Sequence, residues 1–505
     1  MQSPSVRDCD LLHQGSGIFA PWGQNLKEEP VFVLGKRRRT KIVCTLGPAC
    51  GGEILPRLLA AGMDVARLNF SHGTGAEHAE WIQRLRRLAE RRGQPLAILQ
   101  DLAGPKIRIG DLSEGQVDLV KDQPFVLYAA PAPGDRHGVW VGYPEIIREA
   151  PLGAHIYLQD GELDLVVEEK SANALQCRVA VGGRLRSHVG VSLPGHTLSV
   201  PALTPKDRDD LRLGVELEVD FIALSYVRRA QDILEARELL KTLGAEIPII
   251  AKIENHEAVQ NLPEILEAAD GLMVARGDLG VEVSLERVPL IQKQVIAAAN
   301  RAGKPVITAT QMLLSMVSHS RPSRAEAADA ANAILDGTDA VMLSEETATG
   351  QFPVAAVKFL DRLARIMEEA FPYTEWLRAR APERRPNISD AISYAACEMA
   401  QDLEAAAILT STAFGTTARF ISRFRPRAPI IGVTPRRETW RRLCLSWGVF
   451  PLMAQDLNDT DHMIQAVKAE ALKAGWLKPG QRVVITAGTP MGLKGTTNMI
   501  KADVI

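Results

Sequence analysis

The sequence predicts an α/β fold built on a (β/α)8 barrel of the TIM type, with an inserted small β-barrel lid domain and a C-terminal α/β domain. Short β-branched, apolar runs alternate with helical stretches, as in parallel βα repeats. Most of these runs end in polar or charged residues, which is typical of the active-site face of such a barrel. Between residues 109 and 204 the pattern changes to short alternating runs, separated by turn signals such as Gly182-Gly183, which indicates a small all-β domain.

The predicted barrel strands are apolar runs that end in residues able to bind ligands or take part in chemistry. Thr45 ends the first run, Asp101 ends the third, and Ser225 ends the fourth. With their polar ends, the eight segments are residues 41–45, 64–71, 96–101, 221–225, 249–255, 271–280, 306–311 and 340–347. Helices are predicted between them, for example at residues 55–61, where Gly62 is the expected C-terminal stop, and at 325–335.

Changes in pattern along the chain predict four parts. Residues 1–35 have no clear period and form an N-terminal extension with room for a short helix. The barrel is expected at residues 36–108 and 205–370, interrupted by the lid at 109–204. The last domain is expected at 371–505, and a charged, proline-bearing connector at 378–386 lies near its start. The predicted strands of this domain are 407–410, 429–433, 482–486 and 499–505. Because the lid hangs on two connections, it is expected to hinge over a substrate.

Composition is that of a soluble globular protein and excludes several classes of function. The chain has 46% hydrophobic and 24% charged residues and a net charge of −2, which gives no bias toward nucleic acid or a membrane. No apolar run is long enough to span a bilayer, and the N-terminus lacks the pattern of a signal peptide. Six cysteines without CxxC spacing predict reduced thiols and a cytoplasmic location. The basic cluster 36–39 is interpreted as a solvated strand entry.

Two neighbouring strand ends predict the centre of a catalytic site. Lys252 and Glu254 follow the run that starts at Ile249, and they point the same way because strand side chains alternate with period two. Arg276 and Asp278 end the next run. A cation beside two carboxylates is typical of a divalent-metal site that also holds a phosphate.

Several segments together resemble the pyruvate kinase family. They occur in the family's order and the likeness extends from about residue 40 to 505. The motifs are AKIEN at 251–255, ARLNFSHG at 66–73, ARGDLG at 275–280, ATQML at 309–313, RPSRAE at 321–326 and MLSEET at 342–347. The resemblance implies phosphoryl transfer from phosphoenolpyruvate to ADP, giving pyruvate and ATP. It also implies a homotetramer whose C-terminal domain carries effector sites and subunit contacts. One departure is Glu345, which stands where relatives usually carry a small residue.

The resemblance also assigns roles to residues. Phosphoryl transfer depends mainly on positioning and neutralisation of charge. The resemblance implies that Glu254 and Asp278 hold Mg²⁺ or Mn²⁺, that Lys252 stabilises the transferring phosphoryl group, and that Arg67 clamps phosphate. It implies that the backbone N–H groups of Gly277 and Asp278 bind the substrate carboxylate and that Thr310 lines the substrate. It also implies that Ser344 and Glu346 belong to the region that relays a proton to the enolate carbon. A second magnesium ion is expected to arrive with ADP. No role follows for His72.

A lysine distinguishes the segment after Asp101. In relatives that need potassium this stretch reads Asp-Thr-Lys-Gly-Pro-Glu, and the ion is held by groups matching Asn69, Ser71, Asp101 and the carbonyl of Leu102. Here the glutamate is replaced by Lys106. An ammonium group can replace a monovalent cation, so potassium is not expected to be required. Nucleotide phosphates are expected to meet Asn69, Lys106 and Arg108.

The C-terminal domain contains a hydroxyl-rich loop that predicts an effector site. Its members are Thr410, Ser411, Thr412, Thr416 and Thr417, which lie between a strand and a helix. Hydroxyls at a helix N-terminus suit a phosphate. Animal-type relatives that bind fructose 1,6-bisphosphate carry a lysine in this loop, which is absent here. We therefore expect activation by a sugar monophosphate or AMP.

Other interpretations of the sequence remain at this stage. A magnesium-dependent barrel lyase or aldolase acting on pyruvate or oxaloacetate would share the carboxylates and an arginine, without needing the lid or Lys252. A degenerate relative that only senses metabolites is a non-enzyme alternative. Taken singly, Arg67 suits an ordinary ion pair, Thr310 a buried hydroxyl bonded to backbone, and Ser344 a helix N-cap.

Overall fold

The structure, a computed structural model, describes residues 37–383, 386–454, 460–488 and 497–505. The predicted N-terminal extension, residues 1–35, lies outside the described residues. The strands, in chain order, are β1 Lys41–Thr45, β2 Val65–Asn69, β3 Ala97–Asp101, β4 Gln116–Leu119, β5 Pro124–Tyr128, β6 Gly138–Trp140, β7 His155–Leu158, β8 Leu163–Lys170, β9 Ala174–Val181, β10 Gly183–Arg186, β11 Val191–Ser192, β12 Phe221–Leu224, β13 Ile249–Ile253, β14 Gly271–Ala275, β15 Val306–Ala309, β16 Ala340–Leu343, β17 Ala407–Ser411, β18 Ile430–Thr434, β19 Val449–Met453, β20 Arg482–Gly488 and β21 Thr497–Val504.

The α-helices lie mostly between these strands. They are α1 Ile54–Ala61, α2 Gly75–Arg92, α3 Ile146–Glu149, α4 Pro205–Glu216, α5 Ala230–Thr242, α6 His256–Gln260, α7 Leu262–Ala268, α8 Arg276–Glu282, α9 Val288–Ala302, α10 Arg324–Leu335, α11 Glu345–Ala348, α12 Pro353–Glu369, α13 Tyr373–Arg380, α14 Ile388–Asp402, α15 Thr416–Ser422, α16 Arg437–Arg442 and α17 Thr460–Lys473. Helix α1 ends at Gly62 with φ 117°, as the sequence predicts. The predicted connector begins later than expected, because α13 continues to Arg380.

Eight parallel strands close into the predicted barrel, in the order β1-β16-β15-β14-β13-β12-β3-β2. Their residues are buried on both faces, so each strand is an almost continuous apolar run. In β1, for example, Val43 packs in the interior of the barrel, whereas Ile42 and Cys44 pack in the layer beneath the helices. The (β/α)8 fold class is confirmed, and all eight strand ends open onto one rim.

The inserted segment forms sheets of its own. Strands β11, β7, β8, β9, β5 and β6 make a six-stranded sheet, while β10 pairs only with β4. The described residues of the inserted all-β domain therefore form a sheet and a two-stranded ribbon, with additional isolated bridges such as Ile109 to Val141. At its root, the Val191 N–H donates to the carbonyl of Ile107 at 2.9 Å, so the two connections to the barrel are bonded to each other.

The C-terminal domain is a five-stranded sheet in the order β19-β18-β17-β20-β21, in which only β21 is antiparallel to its neighbour. The sequence prediction missed β19, whose proline-containing run FPLM lacks an alternating pattern. None of the helices in the described parts of the chain is both long enough and apolar enough to cross a bilayer.

Aspartates join the barrel strands in pairs at the face opposite the rim. One aspartate stands directly before every second barrel strand in chain order. Its carboxylate accepts a hydrogen bond from the backbone N–H of a residue near the start of the preceding barrel strand. The four aspartates and their N–H donors are Asp64 with Ile42, Asp220 with Ile98, Asp270 with Ile249, and Asp339 with Val306, at 2.8–3.1 Å. Two of these carboxylates also bind arginines of the C-terminal domain, Arg441 on Asp220 at 2.7 Å and Arg425 on Asp339 at 3.0 Å. The last domain is thereby anchored to the strand starts.

Candidate active site

Lys252 is the centre of the charged cluster on the barrel rim. Its Nζ lies 2.8 Å from Glu254 Oε1 and 3.3 Å from Asp101 Oδ1, and it donates a hydrogen bond to Ser225 Oγ at 2.8 Å. Burial by itself would lower the pKa of Lys252, but the two carboxylates outweigh burial and raise the pKa. The ammonium group therefore stays charged and is held at one fixed position.

Arg67 and Asp101 continue this network on the neighbouring strands β2 and β3. Arg67 Nε donates to Asp101 Oδ2 at 2.6 Å, and Nη1 donates to Thr45 Oγ1 at 2.9 Å. Asp101 is fully buried. Burial would raise the pKa of Asp101, but Lys252 and Arg67 together lower it. Asp101 is thus a buried anion that fixes two cations side by side.

Glu254 and Asp278 lie together and fit a divalent cation in their chemistry. One residue links them, because the backbone N–H of Tyr226 donates to Glu254 Oε2 at 2.6 Å and its hydroxyl donates to Asp278 Oδ1 at 3.3 Å. Glu254 Oε1 faces Lys252 Nζ but makes no hydrogen bond of normal geometry in the described residues, so it retains lone pairs for a cation. Burial raises the pKa of Glu254 and outweighs the attraction of Lys252.

Glu254 and Asp278 offer two carboxylates to such a site. Within the described ranges, no group of three or more His, Cys, Asp or Glu side chains is arranged to hold a metal ion. Hard divalent cations such as Mg²⁺ prefer oxygen ligands and commonly take the remaining ones from water and from the substrate. The pair therefore suits a metal that is bound jointly with substrate.

Thr310 shapes the start of helix α8. Its Oγ1 accepts the Gly277 N–H at 2.8 Å and donates to the carbonyl of Ala309 at 2.7 Å. Thr310 and Gln311 both have left-handed backbones, with φ 64° and 52°, which is uncommon for residues other than glycine. Arg276 stabilises this turn by donating to the carbonyl of Thr310 at 2.7 Å. The predicted substrate residues Gly277, Asp278 and Thr310 are therefore adjacent.

Ser344 and Glu346 lie at the end of strand β16. Glu346 is buried, and its two carboxylate oxygens accept the backbone N–H groups of Leu313 at 2.9 Å and Ser344 at 2.7 Å. Burial raises the pKa of Glu346. Ser344 occupies the N-cap position of α11, but its side chain makes no capping hydrogen bond. Glu346 thus holds two loops of the rim together, and the Ser344 hydroxyl makes no bond to the helix that it precedes. Glu345 is exposed.

Lys106 lies between the barrel and the lid. Its Nζ is 3.4 Å from Asp278 Oδ1 and 3.6 Å from Asp160 Oδ1. The groups expected to hold potassium make other contacts: Asn69 Oδ1 accepts the Ser71 N–H at 3.2 Å, and the carbonyl of Leu102 accepts the Ser225 hydroxyl at 2.7 Å.

Arg108 lies at the root of the lid, and its Nη1 donates to the carbonyl of His188 at 3.0 Å. Its side chain therefore makes a contact inside the lid, beside the two connections to the barrel. Lys106, two residues earlier, is the one that contacts the metal-site carboxylate.

The predicted effector residues surround the start of helix α15. Thr410 and Ser411 are the last residues of β17, and Thr416 and Thr417 begin the helix after Gly415. The hydroxyls of Thr417 and Thr497 are 2.8 Å apart. Among the residues that the structure describes, the buried hydroxyls of Thr410 and Thr416 have no hydrogen-bond partner. Thr412 is also buried. The loop therefore contains polar groups suited to a ligand.

Sequence reasoning missed two residues of this site. Tyr226 bridges Glu254 and Asp278, and Asp160 reaches the rim from the lid. The sequence offered one signal near each residue: Tyr226 follows the run that ends in Ser225, and Asp160 belongs to the predicted Asp160-Gly161 turn. Neither signal shows that the side chain contacts a residue on another strand or helix.

Comparison with known proteins identifies the family of this chain. Residues 37–357 match the family described as "Pyruvate kinase, barrel domain", and residues 390–502 match "Pyruvate kinase, alpha/beta domain". The chain is 48% identical to the pyruvate kinase of Geobacillus stearothermophilus over 473 residues, which are 93% of this chain and 81% of that protein. It is 42% identical to the pyruvate kinase of Clostridium acetobutylicum over 471 residues, 93% of this chain and 100% of that protein. The chain belongs to the pyruvate kinase family.

Proposed function

We propose that the rim cluster transfers the phosphoryl group of phosphoenolpyruvate to ADP, so that pyruvate and ATP are formed. The reaction is that of the family, and the chain is accordingly an enzyme of glycolysis. One observation supports assigning the reaction to this cluster: the Lys252 ammonium is buried between Asp101 and Glu254. It therefore lies next to the carboxylate pair Glu254 and Asp278. A fixed positive charge at this position suits a reaction in which negative charge moves from a terminal oxygen of ADP to the enol oxygen of the substrate.

The division of roles follows from the charges. Lys252 and Arg67 are the cations that hold the phosphoryl group, and Asp101 keeps them in place through contacts of 3.3 Å and 2.6 Å. A planar guanidinium suits two phosphate oxygens at once. Glu254 and Asp278 would hold Mg²⁺ or Mn²⁺, and a bound divalent cation neutralises charge on the phosphoryl and enolate oxygens.

The remaining residues orient the substrate and move a proton. The bond between phosphorus and the enol oxygen breaks, and a bond forms from phosphorus to a terminal oxygen of ADP. The carboxylate end of the substrate binds at Gly277, Asp278 and Thr310. The Gly277 N–H, which donates to the Thr310 hydroxyl in this structure, would then donate to the substrate carboxylate instead. The enolate then takes a proton at carbon in the region of Ser344 and Glu346, through water. Asn69, Lys106 and Arg108 face the incoming nucleotide.

Further parts of the proposal concern regulation and organisation. We propose that Lys106 makes potassium unnecessary, and that the hydroxyls of the loop from Thr410 to Thr417 bind a phosphorylated activator such as a sugar monophosphate or AMP. The functional parts are the barrel at 36–108 and 205–370, the lid at 109–204, and the effector domain at 371–505. A homotetramer acting in the cytoplasm is the expected assembly.

The test is a coupled assay in which the purified protein receives phosphoenolpyruvate, ADP and magnesium. ATP and pyruvate should appear in equal amounts, and omission of ADP should stop both. Pyruvate released without ATP would mean that the phosphoryl group passes to water, and it would count against transfer to ADP. No turnover by a folded protein would favour a metabolite sensor.

A further inference from the structure

A turn of the lid reaches across to the barrel rim at Lys106. The turn is Gln159–Gly161, and it packs against helix α8, which carries Asp278. Gln159 and Asp160 both have φ 55°, a left-handed backbone that costs energy for residues with a side chain. The Gln159 N–H donates to the carbonyl of Gly190 at 3.1 Å, which ties the turn to the root of the lid. The conformation thus directs the Asp160 carboxylate at the rim.

One ammonium group stands between two carboxylates that belong to different domains. Lys106 Nζ is 3.4 Å from Asp278 Oδ1 and 3.6 Å from Asp160 Oδ1. Two carboxylates this near to one point repel each other unless a cation lies between them. Lys106 supplies that cation.

Gly190 provides the space for this lysine. A Cβ placed on Gly190 would lie 3.0 Å from Lys106 Cε and 3.7 Å from both Lys106 Nζ and Asp160 Oδ1. The backbone of Gly190 is not left-handed, so an alanine is allowed by conformation and would only crowd the end of the Lys106 side chain. The position thus offers a way to disturb the contact without changing any charge.

We propose that Asp160 is a positioning residue that holds the lid over the active site through Lys106, in the space that Gly190 leaves open. The inference rests on the proposed function in that the lid closes over bound nucleotide. Asp160 touches no reacting atom. It restricts Lys106, which in turn lies against the metal-site residue Asp278. Loss of the carboxylate should therefore loosen the lid and weaken retention of ADP, while the rim cluster around Lys252 stays intact.

The first experiment compares Asp160→Asn with wild type by hydrogen exchange and by kinetics, in the presence of magnesium and ADP. We expect amide exchange within residues 156–163 to be at least about threefold faster and the KM for ADP to rise about three- to fivefold, with kcat nearly unchanged, in line with one partly exposed ion pair. The matched control is Asp118→Asn, because Asp118 is equally exposed and pairs with Arg184 inside the lid at 3.3 Å. The control should behave as wild type.

Two further variants test whether Lys106 is the partner. In a Lys106→Met background, Asp160→Asn should have no additional effect on exchange, since interacting residues are not additive. Gly190→Ala should change exchange and KM in the same direction as Asp160→Asn. Identical behaviour of Asp160→Asn and Asp118→Asn, or a full effect of Asp160→Asn without Lys106, would overturn the inference. Hydrogen exchange decides this even if the wild type forms no ATP, an outcome that counts against the proposed function alone.

Discussion

The guanidinium of Arg425 and the carboxylate of Asp339 form a buried ion pair that joins the C-terminal domain to the start of barrel strand β16, with 3.0 Å between Nη2 and Oδ2. Arg425 is 1% exposed and also donates to Asn300 Oδ1 and the carbonyl of Gly337, both at 2.7 Å. The same Asp339 oxygen accepts the Val306 N–H, and Oδ1 accepts the Trp447 N–H at 3.1 Å. One carboxylate therefore connects two barrel strands to the last domain.

Replacing Arg425 with Met should lower the free energy of unfolding by about 3–5 kcal/mol, because the buried Asp339 carboxylate loses its guanidinium partner and the Asn300 amide oxygen loses its donor. Unfolding in urea measures the effect. Arg178→Met is the control, since Arg178 pairs with Glu168 and Asp122 on the lid surface and should change stability by less than about 1 kcal/mol. Equal stabilities of the two variants would show that the buried pair does not anchor the domain.

Lys252→Met keeps the length of the side chain and removes its charge. Turnover should fall about a thousandfold or more, the order expected when a main stabiliser of transition-state charge is lost. Circular dichroism should show that the fold is retained. Lys241→Met, at an exposed lysine of helix α5, should leave turnover unchanged. Turnover near that of the wild type in Lys252→Met would exclude the proposed role.

Periodicity and motifs predicted the strands of the barrel because each strand is a short buried run with a polar end. That pattern also placed Lys252, Glu254 and Asp278 on one rim, because the carboxyl ends of parallel strands share an edge. Contacts between separate elements were not predictable. Tyr226 follows β12 and Asp278 follows β14. These strands are two apart in the barrel, with only β13 between them, and this order is a property of the closed sheet. The Arg425–Asp339 pair likewise depends on how two domains dock, which no local pattern encodes.

The cysteines of the described residues should resist alkylation in the native protein. Burial raises the pKa of Cys50 to about 11 and that of Cys177 to about 12. A raised pKa keeps a thiol protonated, so at pH 8 about one Cys50 in a thousand is the reactive thiolate. Mass mapping after iodoacetamide at pH 8 should find both unmodified, and fully modified in denaturant. Fast native labelling of Cys50 would contradict the burial shown here.

Potassium should not be needed for activity. Lys106 already places a monovalent cation beside Asp278, at 3.4 Å. We expect nearly full turnover in tetramethylammonium chloride with magnesium, and we expect Lys106→Glu to be less active and to respond to potassium. At about 4 Å and an effective dielectric constant of about 20, unit charges interact by roughly 4 kcal/mol, so this reversal of sign is a large change. The measurement is a potassium titration at constant ionic strength. A tenfold rise in wild-type turnover would oppose the prediction.

Calorimetry should find that glucose 6-phosphate or AMP binds the C-terminal domain more tightly than fructose 1,6-bisphosphate. The loop from Thr410 to Thr417 offers hydroxyls and the start of helix α15 to one phosphate, and it contains no lysine for a second. Within the described residues the buried Thr416 hydroxyl has no hydrogen-bond partner, and we propose that it binds the phosphate. Thr416→Val should weaken binding about tenfold, as expected for loss of one hydrogen bond to a charged group. Thr374→Val, at a half-buried position of α13 outside this loop, should bind as wild type. Tightest binding of the bisphosphate, or unchanged affinity in Thr416→Val, would remove the loop as the effector site.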